Sequence, residues 1–127
     1  MFKNLEIFQT SFAMARHAGA RQAVTAANMA NADTPGYRAR AIAPFAESYS
    51  RGETSDMRVT RSGHIGASAL STPAPVGFSD AEQSPNGNTV SLELEMMKAI
   101  EIQREHNRAL AIYKHSLDVL RTSIGRR

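Results

Sequence analysis

The sequence predicts a mainly α-helical fold. Two long terminal helices pack as an antiparallel coiled-coil hairpin around an extended, partly β middle segment that holds a short hairpin. Three observations lead there. The C-terminal third carries a strict four-three alternation that is apolar except at Gln103 and His106. The N-terminal quarter carries a weaker alternation that stops abruptly at Thr-Pro-Gly-Tyr. Between them the composition turns to Ala, Ser, Gly, Pro and scattered charge. The predicted divisions are 1–36, an N-terminal helix with a Pro-Gly junction; 37–88, an extended or partly ordered loop; and 89–127, a C-terminal helix.

The N-terminal helix is read over roughly residues 3–32. Leu5, Phe8, Phe12, Ala15, Gly19, Ala26 and Met29 recur at three- and four-residue steps, with one polar interruption at Gln22. From Phe12 onward the stripe consists of small residues, which allow close helix approach but bury little, about 0.8 kcal/mol per CH₂. Alone in water such a helix is marginal, so its stability must come from packing. Its end is well marked. Before Pro35 the α region is disfavoured for Thr34, and Pro35 has no N–H to continue a helix. Pro35-Gly36 suits the central positions of a type II turn, with Gly36 taking φ > 0. Asn28 and Asn31 are placed to reach the orphan carbonyls of the helix end, or partner groups beyond it.

The C-terminal helix carries the stronger pattern. Leu92, Met96, Ala99, Gln103, His106, Leu110, Tyr113, Leu117, Leu120 and Ile124 form a stripe that implies about 35 residues of helix, roughly 50 Å long. Asn88, Thr89 or Ser91 supplies the N-cap after a Pro85-Asn86-Gly87 turn. Glu93 and Glu95 near the start and Arg121, Arg126 and Arg127 near the end complement the macrodipole. Glu95–Lys98, Lys114–Asp118 and Asp118–Arg121 add pairs along the outer face. Gln103 and His106, inside the stripe, read either as tolerated polarity near solvent or as a device that fixes register.

The middle is too long for a structureless connection, so part of it should order. Met57-Arg58-Val59-Thr60 is the best strand, with a turn at Ser62-Gly63 leading to His64-Ile65; residues 66–88 read as flexible linker.

Composition limits what the chain can do. A length of 127 residues makes one domain or interaction module. Of the 42% hydrophobic residues many are Ala, and five Phe, three Tyr and no Trp predict a small core completed by partners. The chain has no cysteine, which removes disulfides and thiolate metal sites. The N-terminal residues lack an uninterrupted apolar run, so a cleaved signal is not expected, and no stretch is long and apolar enough for a direct membrane span. The net charge of +3 permits an acidic partner without demanding one.

Catalytic, cofactor-binding and metal sites are not expected. His17, His64, His106 and His115 show no metal-ligand spacing, and Glu105-His106 lacks the second His of a zincin helix. Ser62 and His64 have neither a glycine-framed elbow nor a third partner, and read as a turn. The arginines (Arg16, Arg21, Arg38, Arg40, Arg51, Arg58, Arg61 and the terminal pair) keep a small basic helical nucleic-acid-binding protein as the alternative function. They do not share one helix face or interleave with aromatics, so a solvated surface is the preferred reading and no nucleic acid is expected.

The stretch Ala27-Asn28-Met29-Ala30-Asn31-Ala32-Asp33-Thr34-Pro35-Gly36-Tyr37-Arg38 resembles the N-terminal signature of the bacterial flagellar basal-body rod and hook family, usually Asn-Asn-Ile-Ala-Asn-x-x-Thr-Pro-Gly-Tyr. Gly87-Asn88-Thr89-Val90-Ser91-Leu92-Glu93-Leu94-Glu95-Met96 is similar to the family's second block, which Leu120-Arg121-Thr122-Ser123-Ile124 closes. The short length, that ending and the Thr60-x-x-x-His64 element resemble the proximal rod members most. Ala27 stands where an Asn is common, Ser91 where an Asp is common, and His106 where relatives often carry an aromatic nearby.

The resemblance implies a structural, non-enzymatic subunit of the proximal rod, assembling helically into the drive shaft and export channel that link the MS ring to the distal rod. It implies as partners other copies of the chain, neighbouring FlgC-like and FlgF-like rod proteins, a FliE-like adaptor, the MS-ring protein FliF and the flagellar type III export apparatus. It places the chain in the periplasmic rod of the basal body, exported without a cleaved signal peptide. The expected interface residues are Leu5, Phe8, Phe12, Leu110, Tyr113, Leu117 and Leu120 along the helix seam. Asn28, Asn31, Pro35, Gly36 and Tyr37 are expected at the junction with a neighbouring subunit.

Overall fold

A computed structural model describes residues 6–53, 75–79 and 81–125. In chain order the elements are α1 (Glu6–Ala30), β1 (Arg40–Ile42), α2 (Phe45–Glu53), β2 (Val76–Phe78) and α3 (Leu92–Ile124). The fold is mainly helical, with one small two-stranded antiparallel sheet.

Helix α3 starts where the chemistry of its first turn demands. Of the three candidate caps, Ser91 is the N-cap: its Oγ accepts from the Leu94 N–H at 3.5 Å, and its carbonyl accepts from the Glu95 N–H. Glu93 receives its own backbone N–H and then the Ser91 hydroxyl, which holds its carboxyl below the usual carboxylate range. At the far end the Gly125 N–H closes the last turn on the Arg121 carbonyl at 2.7 Å.

Helices α1 and α3 lie side by side and antiparallel. The Phe8 ring meets Tyr113 edge-on, with centroids 5.3 Å apart; Arg21 bridges to Glu105 at 2.6 Å; and Asn28 reaches Glu95 at 3.1 Å. As one index rises the other falls.

The seam between the helices differs in register from the sequence expectation. On α1 the buried positions are Phe8, Ser11, Ala18, Thr25 and Asn28, together with His17. On α3 they are Glu95, Ile102, Ala109 and Ser116. Phe8 is buried as predicted and meets Tyr113, but the series Ser11, Ala18, Thr25 on α1 and Glu95, Ile102, Ala109, Ser116 on α3 each run one residue N-terminal to the predicted one. Phe12 is 63% exposed and Leu110 and Tyr113 are also exposed, while Leu117 and Leu120 are half-buried and Leu5 lies outside the described residues. Gln103, offered as a register device, is exposed and donates to Asn107 at 3.4 Å, and His106 is half-buried.

The physical reason is side-chain size and hydrogen bonding. Ser11, Ala18, Thr25, Ala109 and Ser116 leave room along the seam for the larger Phe8, Ile102, Asn28 and Glu95 to be buried between the helices. The buried hydroxyls are satisfied within their own helices, Ser11 on the Phe8 carbonyl at 3.1 Å and Ser116 on the Ile112 carbonyl at 2.8 Å. Weighting the stripe by hydrophobicity alone favours the neighbouring Phe12–Leu110 line.

The middle segment also departs from expectation. The described strands are β1 and β2, paired Arg40 with Phe78, Ala41 with Gly77 and Ile42 with Val76. The anticipated hairpin at 57–65 lies outside the described residues. Residues 75–79, read as linker, contain β2, and the stretch 84–88 is hydrogen-bonded throughout. Helix α2 was not foreseen. Pro44 opens it, its carbonyl accepting from the Glu47 and Ser48 N–H groups, and Phe45 docks edge-on against His17 with centroids 5.5 Å apart. That tertiary contact outweighs a polar sequence of low helix propensity.

Among the described residues, seven polar or charged side chains are buried against six apolar ones. The interior is therefore a polar framework with small apolar filling, and its two most deeply buried large side chains are both asparagines, Asn28 and Asn88.

Candidate functional site

The junction after α1 is built on those two asparagines. Past Ala30, the Asn31 and Ala32 N–H groups return to the Asn28 and Met29 carbonyls, and Asn31 donates its side-chain amide to the Ala27 carbonyl at 2.7 Å. Thr34-Pro35-Gly36-Tyr37 then turns, with the Tyr37 N–H on the Thr34 carbonyl and Gly36 at φ 71°, as the Pro-Gly dipeptide predicts.

Asn88, read in the sequence only as a possible cap for α3, closes α1 instead. Its Nδ2 donates to three carbonyls at the end of α1: Asn31 at 3.0 Å, Ala32 at 2.6 Å and Thr34 at 2.9 Å. Its Oδ1 accepts the Val90 N–H at 2.7 Å. These carbonyls belong to the turn that follows α1; those of Asn31 and Thr34 also accept the Thr34 and Tyr37 N–H groups, and all three share a side chain more than fifty residues away in sequence.

Asn28 plays the complementary role. Its Oδ1 accepts from the Arg40 N–H at 3.0 Å and from the Tyr37 hydroxyl at 3.4 Å. Its Nδ2 donates to the Arg40 carbonyl at 2.7 Å and to Glu95 Oε2 at 3.1 Å. One side-chain amide thus pairs with the outer edge of β1 as a neighbouring strand would, while holding α3 in register. Glu95 is buried beneath it and bridges to Lys98 at 2.6 Å. Sequence reasoning found the Glu95–Lys98 pair but took it for an outer-face pair. The i,i+3 spacing carried no sign that one partner lies inside.

Two glycine-bearing turns complete the junction. The Gly36 N–H donates to the Asn86 carbonyl at 3.1 Å, and Gly87, at φ 81°, packs so closely that a Cβ there would lie 3.3 Å from the Gly36 Cα. Thr89 ties the two chain segments from both sides, donating its N–H to the Tyr37 carbonyl and accepting the Ala39 N–H at 2.8 Å. Of the predicted junction residues, Asn28 is buried, Asn31 and Tyr37 are half-buried, and Pro35 and Gly36 are exposed. The structure brings Asn28, Asn31, Gly36 and Tyr37 into one hydrogen-bonded turn region of this chain, with Pro35 exposed beside Gly36.

The helices leave a second surface. Ile7 and Phe12 on α1, and Leu92, Leu94, Met96, Met97, Ile100 and Leu110 on α3, are large apolar side chains exposed to solvent. Met97 is the extreme, at 67%.

His17 is a separate buried centre. Its Nε2 lies 3.5 Å from the Ser48 hydroxyl; its Nδ1 is buried, with the Ala43 carbonyl close by but outside hydrogen-bond geometry. Burial first, and the Arg21 guanidinium second, push its pKa down, against an opposing pull from Glu105.

Among the described residues no cluster of three or more His, Asp or Glu is placed to hold a metal, and no helix is long and apolar enough to cross a membrane. Ser62 and His64 lie outside the described residues.

Comparison with known proteins converges on one family. Residues 13–38, which run from α1 through the Thr34–Tyr37 turn, match the family model for flagella basal body rod protein. The flagellar basal body rod protein FlgB of Agrobacterium fabrum is 30% identical over 115 residues, covering 87% of this chain and 86% of that protein. The FlgB of Salmonella typhimurium is 36% identical over 102 residues, 72% of this chain and 73% of its own length. That of Escherichia coli is 35% identical over 100 residues, 72% of each. The matched chains are covered over most of their length, and Asn28, Asn31, Pro35, Gly36 and Tyr37 lie within residues 13–38. The chain belongs to the flagellar basal body rod protein family, as a structural member and not an enzyme.

Proposed function

We propose that the chain is a building unit of the proximal rod in the periplasm, delivered by the flagellar type III export apparatus. In this reading α1 and α3 supercoil as an antiparallel coiled coil. They stack with other copies and with FlgC-like and FlgF-like neighbours into a hollow shaft. A FliE-like adaptor connects that shaft to the MS-ring protein FliF. Segments 1–36 and 89–127 form the shaft, and 37–88 is carried on it.

The observation that supports this reading is the inverted burial of the two helices. Small and polar side chains fill the seam inside the subunit, while Phe12, Met97, Ile100 and Leu110 face outward. Large apolar side chains left exposed along both helices are the kind of surface that interaction sites use. Heterologous contacts repeated between copies of one chain generate a helical filament when they do not close. Phe12, Leu110, Tyr113, Leu117 and Leu120 are then positions of subunit contact, and the outward Pro35-Gly36 turn is the junction with the next subunit.

Met97→Asp tests the surface. Because Met97 is exposed in the subunit, the variant should keep the helicity of the parent by circular dichroism. In cells it should abolish swimming and leave basal bodies without rods, since an unpaired charge buried at an interface costs several kcal/mol. A folded variant that swims normally removes this face from the assembly. Pro35→Ala tests the junction in the same assay, with unchanged rods assigning the turn a purely local role.

A further inference from the structure

The contact between α1 and α2 has no part in the proposed assembly surfaces. Among the described residues α2 packs against α1 alone, and the centre of that contact is His17. The ring is 9% exposed, stands at 71° to the Phe45 ring, and has the Ser48 hydroxyl 3.5 Å from Nε2. Tyr49 stacks on Phe45 with centroids 5.6 Å apart and extends the same aromatic face of α2.

We propose that His17 is a proton-operated latch for α2, docked while the ring is neutral and released when the ring is protonated. A neutral imidazole needs one donor and one acceptor partner, whereas the imidazolium donates from both nitrogens. In the docked arrangement the Ser48 hydroxyl is available to Nε2, but no group meets Nδ1 in hydrogen-bond geometry.

The charged surroundings give the same sign. One helical turn along α1, Arg21 repels a cationic ring. Glu105, from α3, attracts it but is already engaged by Arg21 at 2.6 Å. The Ala43 carbonyl, from the loop ahead of α2, also favours the cation, and α2 itself meets the ring with Phe45 and Ser48. Desolvation and Arg21 lead, and the docked ring holds its proton less tightly than a free one.

Undocking α2 returns the ring to water and removes the desolvation that α2 causes. Docking is therefore complete above about pH 6.5, the ordinary value for the ring. It weakens by up to tenfold per pH unit as pH falls from there to the docked value, and changes no further below it. Acid thus weakens the docking that covers the Phe45–Tyr49 face and leaves the α1–α3 pair in place.

The experiment is a pH titration of the full chain from 8 to 5 by NMR, with ¹³C-labelled His and Phe rings. His17 is assigned through His17→Gln and Phe45 through Phe45→Leu. Three results are expected together. The His17 midpoint lies below the midpoint the same ring shows in urea. The Phe45 ring moves to random-coil positions with that same midpoint while Phe8, in the α1–α3 seam, stays in place. In His17→Gln, Phe45 holds its docked position across the whole range. Should Gln undock α2 at every pH, His17→Phe, which keeps a ring at this position, must meet the same requirement. The latch is overturned if Phe45 keeps its position through the His17 titration, or if Phe8 and Phe45 move together. It is equally overturned if Phe45 is already at random-coil positions at pH 8, or if the non-titrating variants retain the transition.

Discussion

Replacing Asn88 tests whether one side chain holds the end of α1. Its amide donates to three carbonyls and accepts one backbone N–H, all within 3.0 Å. Two amide protons serve three acceptors, so the loss on Asn88→Ala is about two donated bonds and one accepted. At roughly 1 kcal/mol net per bond, that totals about 3 kcal/mol. The estimate is lowered somewhat because Thr34 is exposed and Asn31 and Ala32 are half-buried, so water can reach some of the freed carbonyls. About 2–3 kcal/mol remains, a large share of the 5–15 kcal/mol typical of a folded domain.

Asn88→Asp makes the test specific. The shape is retained, but a carboxylate cannot donate and sets a negative charge against three carbonyl oxygens at the negative end of a helix. Urea unfolding followed at 222 nm should rank the parent above Asn88→Ala and Asn88→Ala above Asn88→Asp. At an m-value of about 1–3 kcal/mol/M, the alanine midpoint should fall by on the order of 1 M. An alanine variant within 0.5 kcal/mol of the parent, or an aspartate variant of parental stability, would refute the capping role.

Further outcomes follow from single positions. Gly87→Ala should cost about 1–2 kcal/mol by thermal or urea unfolding, because φ 81° is left-handed and its Cβ would press on the Gly36 backbone at 3.3 Å. Gly19→Ala should instead stabilise the isolated subunit by about 0.5–1 kcal/mol: the position is an exposed helix interior with nothing within 4 Å of the new methyl. If that same variant stops motility, a neighbouring subunit occupies the space. Overall stability should fall as pH drops below about 6.5, since His17 is depressed in the fold and the unfolded chain takes up the proton first. His17→Gln should flatten that limb of a pH series of urea midpoints.

What could be read in advance was local chemistry. Pro35-Gly36 specifies a turn by itself, Ser91 specifies an N-cap, and a stripe as long as that of α3 specifies a helix. Each needs only neighbours within a few residues. What could not be read depends on partners distant in sequence. Nothing local to Asn88 points to carbonyls at the end of α1, and nothing local to Glu95 says that Asn28 lies above it. Helix α2 and strands β1 and β2 are short, and form because partners distant in sequence meet them: His17 for α2, Asn28 for β1, and β1 for β2. The register of the seam was misjudged by one residue on both helices for the same reason. Ranking adjacent heptad lines by hydrophobicity favours Phe12 and Leu110, whereas the buried line includes Asn28 and Glu95, which hydrogen-bond each other across the helices.

That shift bears on how folding and assembly divide the available energy. Ala18 and Ala109 bury little more than a methyl group each, about 0.8 kcal/mol per carbon, so apolar burial in the seam comes mainly from Phe8 and Ile102. Its alignment is specified by groups that tolerate no slippage: Asn28 on Glu95, Arg21 on Glu105 and Asn88 on the α1 terminus. A one-residue slide would leave a buried amide and a buried carboxylate without partners, at a few kcal/mol each. The larger side chains, Phe12, Met97, Ile100 and Leu110, contribute little inside the subunit because they stay in water, and each can contribute about 1.5–3 kcal/mol once covered. Polar groups thus set the shape of the subunit, and apolar groups remain to drive its association. In the proposed assembly, a chain arranged this way is held in one register by its polar contacts and gains further stability where neighbours cover its exposed apolar side chains.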